Sequence, residues 1–97
     1  VRLAPADDIW LSGAYDRDTV YVACHAYPRT DYRGWFAAAE ELFVSYGGRP
    51  HWGKLHTRDV GDLEHAFPRM AEFRAVRNQV DPDRLMDNDY LRQVLGD

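Results

Sequence analysis

Residues 47 to 56 read Gly47-Gly48-Arg49-Pro50-His51-Trp52-Gly53-Lys54-Leu55-His56. Three glycines and one proline govern the backbone of this segment, which also holds two histidines, a tryptophan and the only lysine of the chain. Glycine permits tight turns and a close approach of the backbone to another group. The composition therefore predicts a rigid segment that approaches a flat or polar ligand.

A helix is predicted directly before this segment, from residue 31 to residue 46. Asp31 is a plausible N-cap, and Gly47 provides the C-terminal stop. Apolar residues recur at helical spacing and predict a stripe that faces the core. The stripe consists of Trp35, Phe36, Ala39, Leu42, Phe43 and Tyr46. Such an aromatic stripe is typical of packing rather than of a cofactor site, because aromatic side chains bury large areas.

Two more helices are predicted after the segment. Residues 57–67 form a short helix capped by Asp59 or Asp62. Pro68 suits the first turn of the next helix, which extends to about residue 80. The apolar side of that helix consists of Met70, Phe73, Val76 and Val80.

The C-terminal residues predict a turn and one further apolar element. Asp81-Pro82-Asp83 is typical of a turn or of a new helix start. Two apolar pairs, Tyr90-Leu91 and Val94-Leu95, then precede Gly96.

A strand is predicted over residues 19–27, because β-branched and aromatic residues are frequent there and Pro28 follows. Alternation divides these residues between a core face and a more polar face suited to a ligand or a second domain. The core face has Val20, Val22, Cys24 and Ala26, and the polar face has Tyr21, Ala23, His25 and Tyr27.

The N-terminal residues are predicted to leave a strand and enter a turn. Residues 1–3 end the strand, and Pro5 with the following aspartates favours a turn at residues 4–8. A short apolar element follows at residues 9–11 and ends at Ser12-Gly13. The chain begins at Val1 without an initiator methionine, so we expect it to be the tail of a longer protein.

Length and composition limit the class of protein. Ninety-seven residues provide one small domain at most. A net charge of −4 argues against a nucleic-acid partner. No apolar run approaches the roughly 20 residues that cross a bilayer, and no signal-peptide pattern precedes the first predicted strand. We expect a soluble cytoplasmic chain, with peripheral membrane association of the parent left open; the single Cys24 fits a reducing compartment.

A metal site is the first alternative for the histidines. His51 and His56 lie close together in sequence, and Cys24, His25 and His65 could join them. None of the spacings typical of zinc ligands occurs. We therefore predict no metal site.

A nucleophilic enzyme is the second alternative. Cys24 lies on the predicted apolar face, where a cysteine behaves as a small hydrophobic residue with a raised pKa. Ser12 is not surrounded by the strand, turn and helix of a nucleophile elbow. Neither residue is predicted to be a nucleophile.

The glycine-rich segment resembles a signature of the FAD-dependent sugar-lactone oxidases, the group that includes L-gulonolactone oxidase and dehydrogenase, D-arabinonolactone oxidase and alditol oxidase. The matching residues are Gly47-Gly48-Arg49-Pro50-His51-Trp52-Gly53-Lys54. Other matching blocks follow the family order: Val1-Arg2, Asp7-Asp8, Trp10-Leu11-Ser12, Arg17-Asp18, and Phe73 to Gly96 with Asp81-Pro82, Asn88, Tyr90-Leu91 and Leu95-Gly96. The resemblance covers nearly the whole chain.

The resemblance implies an α+β fold, the C-terminal part of a flavoprotein substrate (cap) domain, with one or two antiparallel strands and three or four packed helices. Residues 1–97 would form the C-terminal portion of that domain and the segment that returns to the FAD domain. The FAD-binding loop itself does not occur in these residues. The implied activity is FAD-dependent oxidation of the CH–OH group of an aldonolactone or alditol, with oxygen or another electron acceptor.

The resemblance also assigns roles to individual residues. Lys54 would be a fixed cation that stabilises negative charge at the N1–C2=O end of the flavin. Arg2 would hold substrate oxygens or pair with the acidic residue that the family places one position before Val1, and His25 would bind the polyol or lactone. His51, Trp52 and Gly53 would be scaffold or flavin-edge contacts.

A noncatalytic small α+β binding or association domain is the rival interpretation. An upstream glutamate and a glycine-rich FAD loop in the same reading frame would favour the oxidase. Under the oxidase interpretation, the isolated chain is expected to be inactive, to bind FAD weakly and to self-associate through apolar surface.

Overall fold

The computed structural model describes residues 1–97 and contains two short strands and four helices. These elements are β1 (Arg2–Ala4), β2 (Thr19–Tyr21), α1 (Arg33–Ser45), α2 (Val60–Ala66), α3 (Met70–Val80) and α4 (Asp89–Leu95). None of the helices has the length and apolar character needed to cross a membrane. The expected α+β class, with antiparallel strands and four helices, is confirmed.

The two strands form an antiparallel ribbon in which Leu3 lies opposite Val20. Their connection is closed by the Asp7 side chain, whose carboxylate accepts hydrogen bonds from the Ser12 hydroxyl at 2.6 Å and from the Ile9 N–H at 3.0 Å. Aspartate favours such local bonds to nearby backbone groups. The turn predicted at residues 4–8 therefore lies later in the chain, because Ala4 still belongs to β1 and the turns follow at residues 10–16, where the Asp7 side chain holds them.

The strand predicted over residues 19–27 ends at Tyr21, so six of its nine residues lack strand structure. Its predicted core face is also wrong, because Val20 is 57% exposed and Val22 is 48% exposed. The cause is the length of the partner: β1 has only three residues and the sheet has no third strand. A ribbon of two short strands cannot bury its own faces.

The hydrophobic core lies among α2, α3 and α4. Leu63, Phe67, Met70, Val94 and Leu95 form its buried cluster. Leu11 and Trp52 pack against this cluster from outside the helices. The segment that contains Lys54 is therefore attached directly to the core.

The two short helices of this core are capped by side chains. At α2, Asp59 accepts from the Asp62 N–H at 3.1 Å, while Asp62 accepts from the Asp59 N–H at 3.3 Å. This reciprocal capping box satisfies two otherwise unpaired donors and confirms the predicted cap at Asp59. At α4, Asn88 accepts from the Leu91 N–H at 2.9 Å.

Helix α1 begins at Arg33 after the N-cap Tyr32, so the predicted N-cap Asp31 is wrong by one residue. Asp31 lies one residue before the N-cap. Its carboxylate therefore accepts from the N–H of Arg33, the first residue of the helix, at 3.1 Å, and not from an N–H further along the first turn. At the other end, Gly47 has a φ of 69° and confirms the predicted stop. Left-handed backbone at this position ends a helix and favours glycine.

The apolar stripe predicted on α1 is only partly buried. Ala39 is buried, and Phe36 and Phe43 are half-buried. Trp35 is 53% exposed, Leu42 is 55% exposed and Tyr46 is 83% exposed. The core cluster takes no residue from α1, so nothing covers this side of the helix and the prediction of a wide core face is wrong.

Helix α3 begins at Met70, with Arg69 as N-cap, so Pro68 lies before the helix rather than in its first turn. The reason is the extended backbone of Phe67, which places its ring in the core and delays the next helix. Val76 and Val80 are exposed, contrary to the predicted apolar side. Met70, Phe73 and Arg77 lie on the same face of α3. This face therefore ends in a charged residue, Arg77, which pairs with Asp87 at 3.0 Å.

Candidate functional site

The segment from Gly48 to Thr57 is fixed where it leaves α1. The Gly48 N–H donates to the Phe43 carbonyl at 2.7 Å, and the Gly47 N–H donates to the Val44 carbonyl at 2.9 Å. A Cβ atom on Gly48 would lie 2.6 Å from the Phe43 carbonyl oxygen. Only glycine allows the backbone at residue 48 to pass this close to the Phe43 carbonyl.

Arg49 connects the segment to two other parts of the chain. Its guanidinium donates to the carbonyl oxygens of Ala66 at 2.7 Å, Tyr15 at 2.9 Å and Gly13 at 3.2 Å. It also lies over the Phe67 ring, 5.5 Å from the centroid. Burial lowers the pKa of Arg49, but these carbonyls replace the water that its N–H groups lose.

Trp52 is the contact between the segment and the core. Its indole N–H donates to the Leu11 carbonyl at 2.8 Å, and its ring lies 4.9 Å from the Phe67 ring. A buried indole usually finds such a partner for its single donor. The structure therefore gives Trp52 a packing role and leaves part of its side chain at the surface.

A tight turn follows at residues 51–54. The Lys54 N–H donates to the His51 carbonyl at 3.0 Å, which closes a β-turn. Inside it, the Gly53 N–H donates to Nδ1 of His51 at 3.0 Å. Lys54 thus leaves the end of a turn whose backbone bonds are satisfied.

A chain of hydrogen bonds attaches this turn to α4. The Tyr90 hydroxyl lies 2.5 Å from the Trp52 carbonyl oxygen, to which it donates, and 3.0 Å from Nε2 of His56. The Arg58 N–H donates to Nδ1 of His56 at 3.2 Å, so the proton of the neutral ring is on Nε2. Burial lowers the pKa of His56, which favours the neutral ring, and burial raises the pKa of Tyr90.

An open depression lies in front of the turn, with a volume of about 420 Å³. Its lining consists of Trp52, Gly53, Lys54, Leu55 and Tyr90. None of the ion pairs of the chain includes Lys54. An unpaired ammonium next to apolar and aromatic surface can bind a flat ligand that carries negative charge at one edge.

The predicted site residues fall into two groups. His51, Trp52, Gly53 and Lys54 lie together in the turn. Arg2 is exposed on β1, and His25 is exposed in the irregular segment after β2. No hydrogen bond or ion pair brings Arg2 or His25 to the turn, and neither residue lines the depression in front of it.

Sequence reasoning did not find the role of Tyr90 or of His56. Tyr90 was predicted as part of a closing apolar pair and of a block that resembles the family, without a role in the site, and His56 was considered only as a metal ligand. Tyr90 lies 38 residues after Trp52, and no local pattern indicates that the two will meet. The crowding of polar residues into residues 47–56 was the available signal for His56.

Comparison with known proteins places these features in a family context. The sequence profile of D-arabinono-1,4-lactone oxidase matches residues 1–94. An L-gulono-1,4-lactone dehydrogenase from Mycobacterium tuberculosis is 47% identical over 96 residues, which is 99% of this chain and 22% of the relative. No solved structure matches the chain.

More distant relatives match over the same extent. An L-gulonolactone oxidase from Mus musculus is 37% identical over 101 residues, covering 97% of this chain and 22% of the relative. An alditol oxidase from Streptomyces is 35% identical over 98 residues, covering 98% of this chain and 23% of the relative. The chain therefore spans less than a quarter of the length of these relatives.

Proposed function

The chain belongs to the D-arabinono-1,4-lactone oxidase family, and we propose that it is the C-terminal part of an FAD-dependent oxidoreductase. The parent protein, meaning the full-length protein that contains this chain, oxidises the CH–OH group of a sugar lactone such as L-gulono- or D-arabinono-1,4-lactone, or of an alditol. Residues 1–97 form the C-terminal portion of its substrate domain and the segment that returns to the FAD domain. Their partners are the rest of the parent and the small-molecule substrate.

The observation that carries this proposal is the position of Lys54. Its ammonium is unpaired, and it lies at an open depression between Trp52 and Tyr90. The relatives that match the whole chain are named as a lactone dehydrogenase, a lactone oxidase and an alditol oxidase. A free cation held by a fixed turn is the kind of group that such redox chemistry uses.

The residues of the turn fit the edge of a flavin ring. The ring is flat and largely apolar, as are the exposed parts of Trp52 and Tyr90, and the backbone at Gly53 carries no side chain that would obstruct it. Lys54 would hold the electron-rich N1–C2=O edge, while His51 supports the turn through the Gly53 N–H. The pyrophosphate and the rest of FAD would be bound by the other domain of the parent.

The flavin ring of FAD would supply the hydride acceptor for the oxidation of the substrate carbon. Lys54 supplies a positive charge close to the position where negative charge develops. Because the backbone around Lys54 is fixed by hydrogen bonds before the substrate arrives, little reorganisation is needed during the reaction.

Arg2 and His25 provide the remaining polar groups of the proposed site. Arg2 binds oxygen atoms of the substrate or pairs with a carboxylate of the parent, and His25 donates a hydrogen bond to a substrate hydroxyl. Both side chains are exposed in this chain, which leaves them free to contact substrate and the rest of the parent.

Activity of the parent protein against a panel of lactones and alditols tests the proposal. We expect bleaching of flavin absorbance under anaerobic conditions with at least one aldonolactone or alditol, and none with fully methylated analogues, which have no free CH–OH group to oxidise. A parent that carries no flavin, or whose flavin is reduced by none of these compounds, would instead favour the noncatalytic binding domain.

A further inference from the structure

The strand register places the side chain of Arg2 next to that of Tyr21. These two residues lie directly opposite each other in the antiparallel ribbon, as do Ala4 and Thr19. Opposite residues point to the same face of a ribbon, with Cβ atoms about 4.5–5.5 Å apart, and successive residues of a strand alternate between the two faces. All four side chains therefore lie on one face of the ribbon, which we call the Arg2 face.

The Arg2 face is covered at one end and open at the other. The Thr19 hydroxyl donates to the Gly13 carbonyl at 3.4 Å, so the loop around Gly13 lies over the end formed by Ala4 and Thr19. Ala4 and Thr19 are half-buried, whereas Arg2 and Tyr21 are exposed. The accessible polar groups of this face are therefore at the end formed by Arg2 and Tyr21.

The Tyr21 ring lies against the backbone of Gly13. A Cβ atom on Gly13 would be 2.7 Å from the Tyr21 hydroxyl oxygen and 2.9 Å from Cε1 of the ring. Because Cβ atoms in proteins do not approach other atoms so closely, the ring can take this position only while residue 13 is glycine. The hydroxyl thus lies beside the loop, and it forms no hydrogen bond with another group of the chain.

Gly13 also connects the Arg2 face to the segment that carries Lys54. Its carbonyl accepts from the Arg49 guanidinium at 3.2 Å, and Arg49 precedes Lys54 in the glycine-rich segment. The loop that contacts the Tyr21 ring is therefore the same loop that holds the beginning of the Lys54 segment.

The hydrogen-bonding capacity of Tyr21 complements that of Arg2. Arginine and lysine side chains only donate hydrogen bonds, whereas a tyrosine hydroxyl both donates and accepts. Arg2 can bind a carbonyl or ring oxygen of a lactone, but it cannot accept the proton of a neighbouring hydroxyl. The oxygen of Tyr21 can accept that proton, and Tyr21 is the direct cross-strand neighbour of Arg2.

We propose that Tyr21 is a further substrate-binding residue: its hydroxyl binds a hydroxyl of the lactone or alditol next to the oxygen that Arg2 holds. The inference rests on the proposed function and adds one polar contact to its substrate. Tyr21 thereby favours hydroxylated substrates, because a site that binds a hydroxyl discriminates against an analogue that lacks it.

The test uses the FAD-loaded parent protein and the variant Tyr21→Phe, which removes the hydroxyl and keeps the ring. The substrate dependence of anaerobic flavin reduction gives the substrate dissociation constant. We expect this constant to rise by about two- to tenfold, the usual effect of one neutral hydrogen bond, while the thermal midpoint stays unchanged. Val20→Thr is the matched control, because Val20 precedes Tyr21 on the opposite face of the ribbon and is 57% exposed; it should change neither value.

Substrate analogues that each lack one hydroxyl separate a direct contact from a structural role. Competition with the substrate gives their dissociation constants. We expect one analogue to bind the original protein more weakly than the substrate does, and to bind the original protein and Tyr21→Phe equally well. If Tyr21→Phe weakens the binding of the substrate and of every analogue by the same factor, the hydroxyl contacts none of the substrate hydroxyls and the proposal is overturned.

Gly13→Ala moves the Tyr21 ring without removing its hydroxyl. We expect the substrate dissociation constant to rise, and we expect Tyr21→Phe to cause no further rise in the Gly13→Ala protein. Additive effects of the two substitutions would overturn the proposal. If no lactone or alditol reduces the flavin of the parent, the proposed function fails and the role of Tyr21 fails with it. If the flavin is reduced and Tyr21→Phe binds the substrate as the original protein does, the role of Tyr21 alone fails.

Discussion

Glu40 in α1 accepts two hydrogen bonds from Thr57, one from its N–H and one from its hydroxyl, each at 2.9 Å. The Glu40 carboxylate thereby fixes the C-terminal end of the segment from Gly48 to Thr57. The N-terminal end is fixed by the hydrogen bond from the Gly48 N–H to the Phe43 carbonyl of the same helix. The segment is therefore anchored at both ends to α1, and its middle is anchored to the core by Trp52. These three attachments leave the Lys54 side chain as the free polar group of the turn.

Replacement of Lys54 by methionine tests its proposed role in the parent protein. Methionine keeps most of the apolar stem and removes the charge, so we expect flavin reduction to slow by about 100- to 1000-fold, the usual cost of losing one preorganised group. Anaerobic stopped-flow absorbance measures this rate. Arg29→Met is the control, because Arg29 is exposed and takes part in no ion pair. If flavin reduction by Lys54→Met stays within about twofold of the original rate, Lys54 is an ordinary surface lysine without a role in the reaction.

Alanine at Gly48 is expected to destabilise the protein, because the added Cβ would lie 2.6 Å from the Phe43 carbonyl oxygen. We expect a loss of about 1–3 kcal/mol, typical of strain in a packed backbone. Gly34→Ala, in the first turn of α1, is the control. Its Cβ meets no atom within 4 Å, and we expect a gain of about 0.5–1 kcal/mol from better helix propensity. Thermal unfolding of the two variants should shift in opposite directions, and equal shifts would contradict the described end of α1.

Asp87 joins α3 to α4 through Arg77 at 3.0 Å and Arg92 at 2.6 Å. Removal of its charge by Asp87→Asn leaves Arg77 without its carboxylate in a nearly buried site, where an unpaired charge is costly. We expect the thermal midpoint to fall by at least about 4 °C. Asp83→Asn, at an exposed residue without an ion pair, should leave the midpoint unchanged.

The same carboxylate makes this contribution depend on pH. Burial acts to raise the pKa of Asp87, but hydrogen bonds from Arg92 and the Asn88 backbone, with the charges of Arg92 and Arg77, act more strongly and lower it below 3.8. The unfolded chain then binds the proton more readily, so the stabilisation is complete above the ordinary pKa and is lost as the pH falls through the lowered value. The difference in midpoint between the original protein and Asp87→Asn should therefore shrink below about pH 3.9; a constant difference would show that the charge is not its source.

The exposed side of α1 predicts self-association when the 97-residue chain is produced alone. Trp35 and Leu42 are more than half exposed and lie two turns apart on the same side of α1, and apolar patches of this kind promote association. Light scattering should report dimers or larger species, and Trp35→Lys combined with Leu42→Lys should reduce the mean mass. Ala37→Lys, on the opposite side of α1, should not. A monomer at high concentration would indicate that this side needs no partner.

Local features of the fold were predictable because they depend on neighbouring residues. Gly47 ends α1, and the Asp59 cap begins α2, since the required interactions lie within a few positions of each residue. Burial was less predictable. Trp35 and Val20 have the patterns of core residues, but no element of these 97 residues covers them. The sequence pattern indicates which face of a helix or strand is apolar. Whether that face is buried depends on the other elements that pack against it.

The candidate site shows the same division. Lys54 and its flanking residues were found from composition and resemblance, because they are contiguous in sequence. The groups that hold them are not contiguous: Tyr90 and Glu40 each reach the segment across 17 or more positions. Ordinary side chains such as these carry no local signal, and only the folded chain reveals their partners.

Trp52 belongs at once to the turn that carries Lys54 and to the apolar layer against Phe67. The turn therefore has little freedom to open while the layer remains intact, although loops at binding sites commonly fluctuate independently of the rest of a protein. Amide hydrogens at residues 53 and 54 should exchange with solvent only when the layer between α2 and α4 separates. A substitution that displaces Trp52 would change the binding surface and would also disturb the packing against Phe67. Evolution of this surface toward a new ligand would then be limited by the accompanying loss of thermal stability.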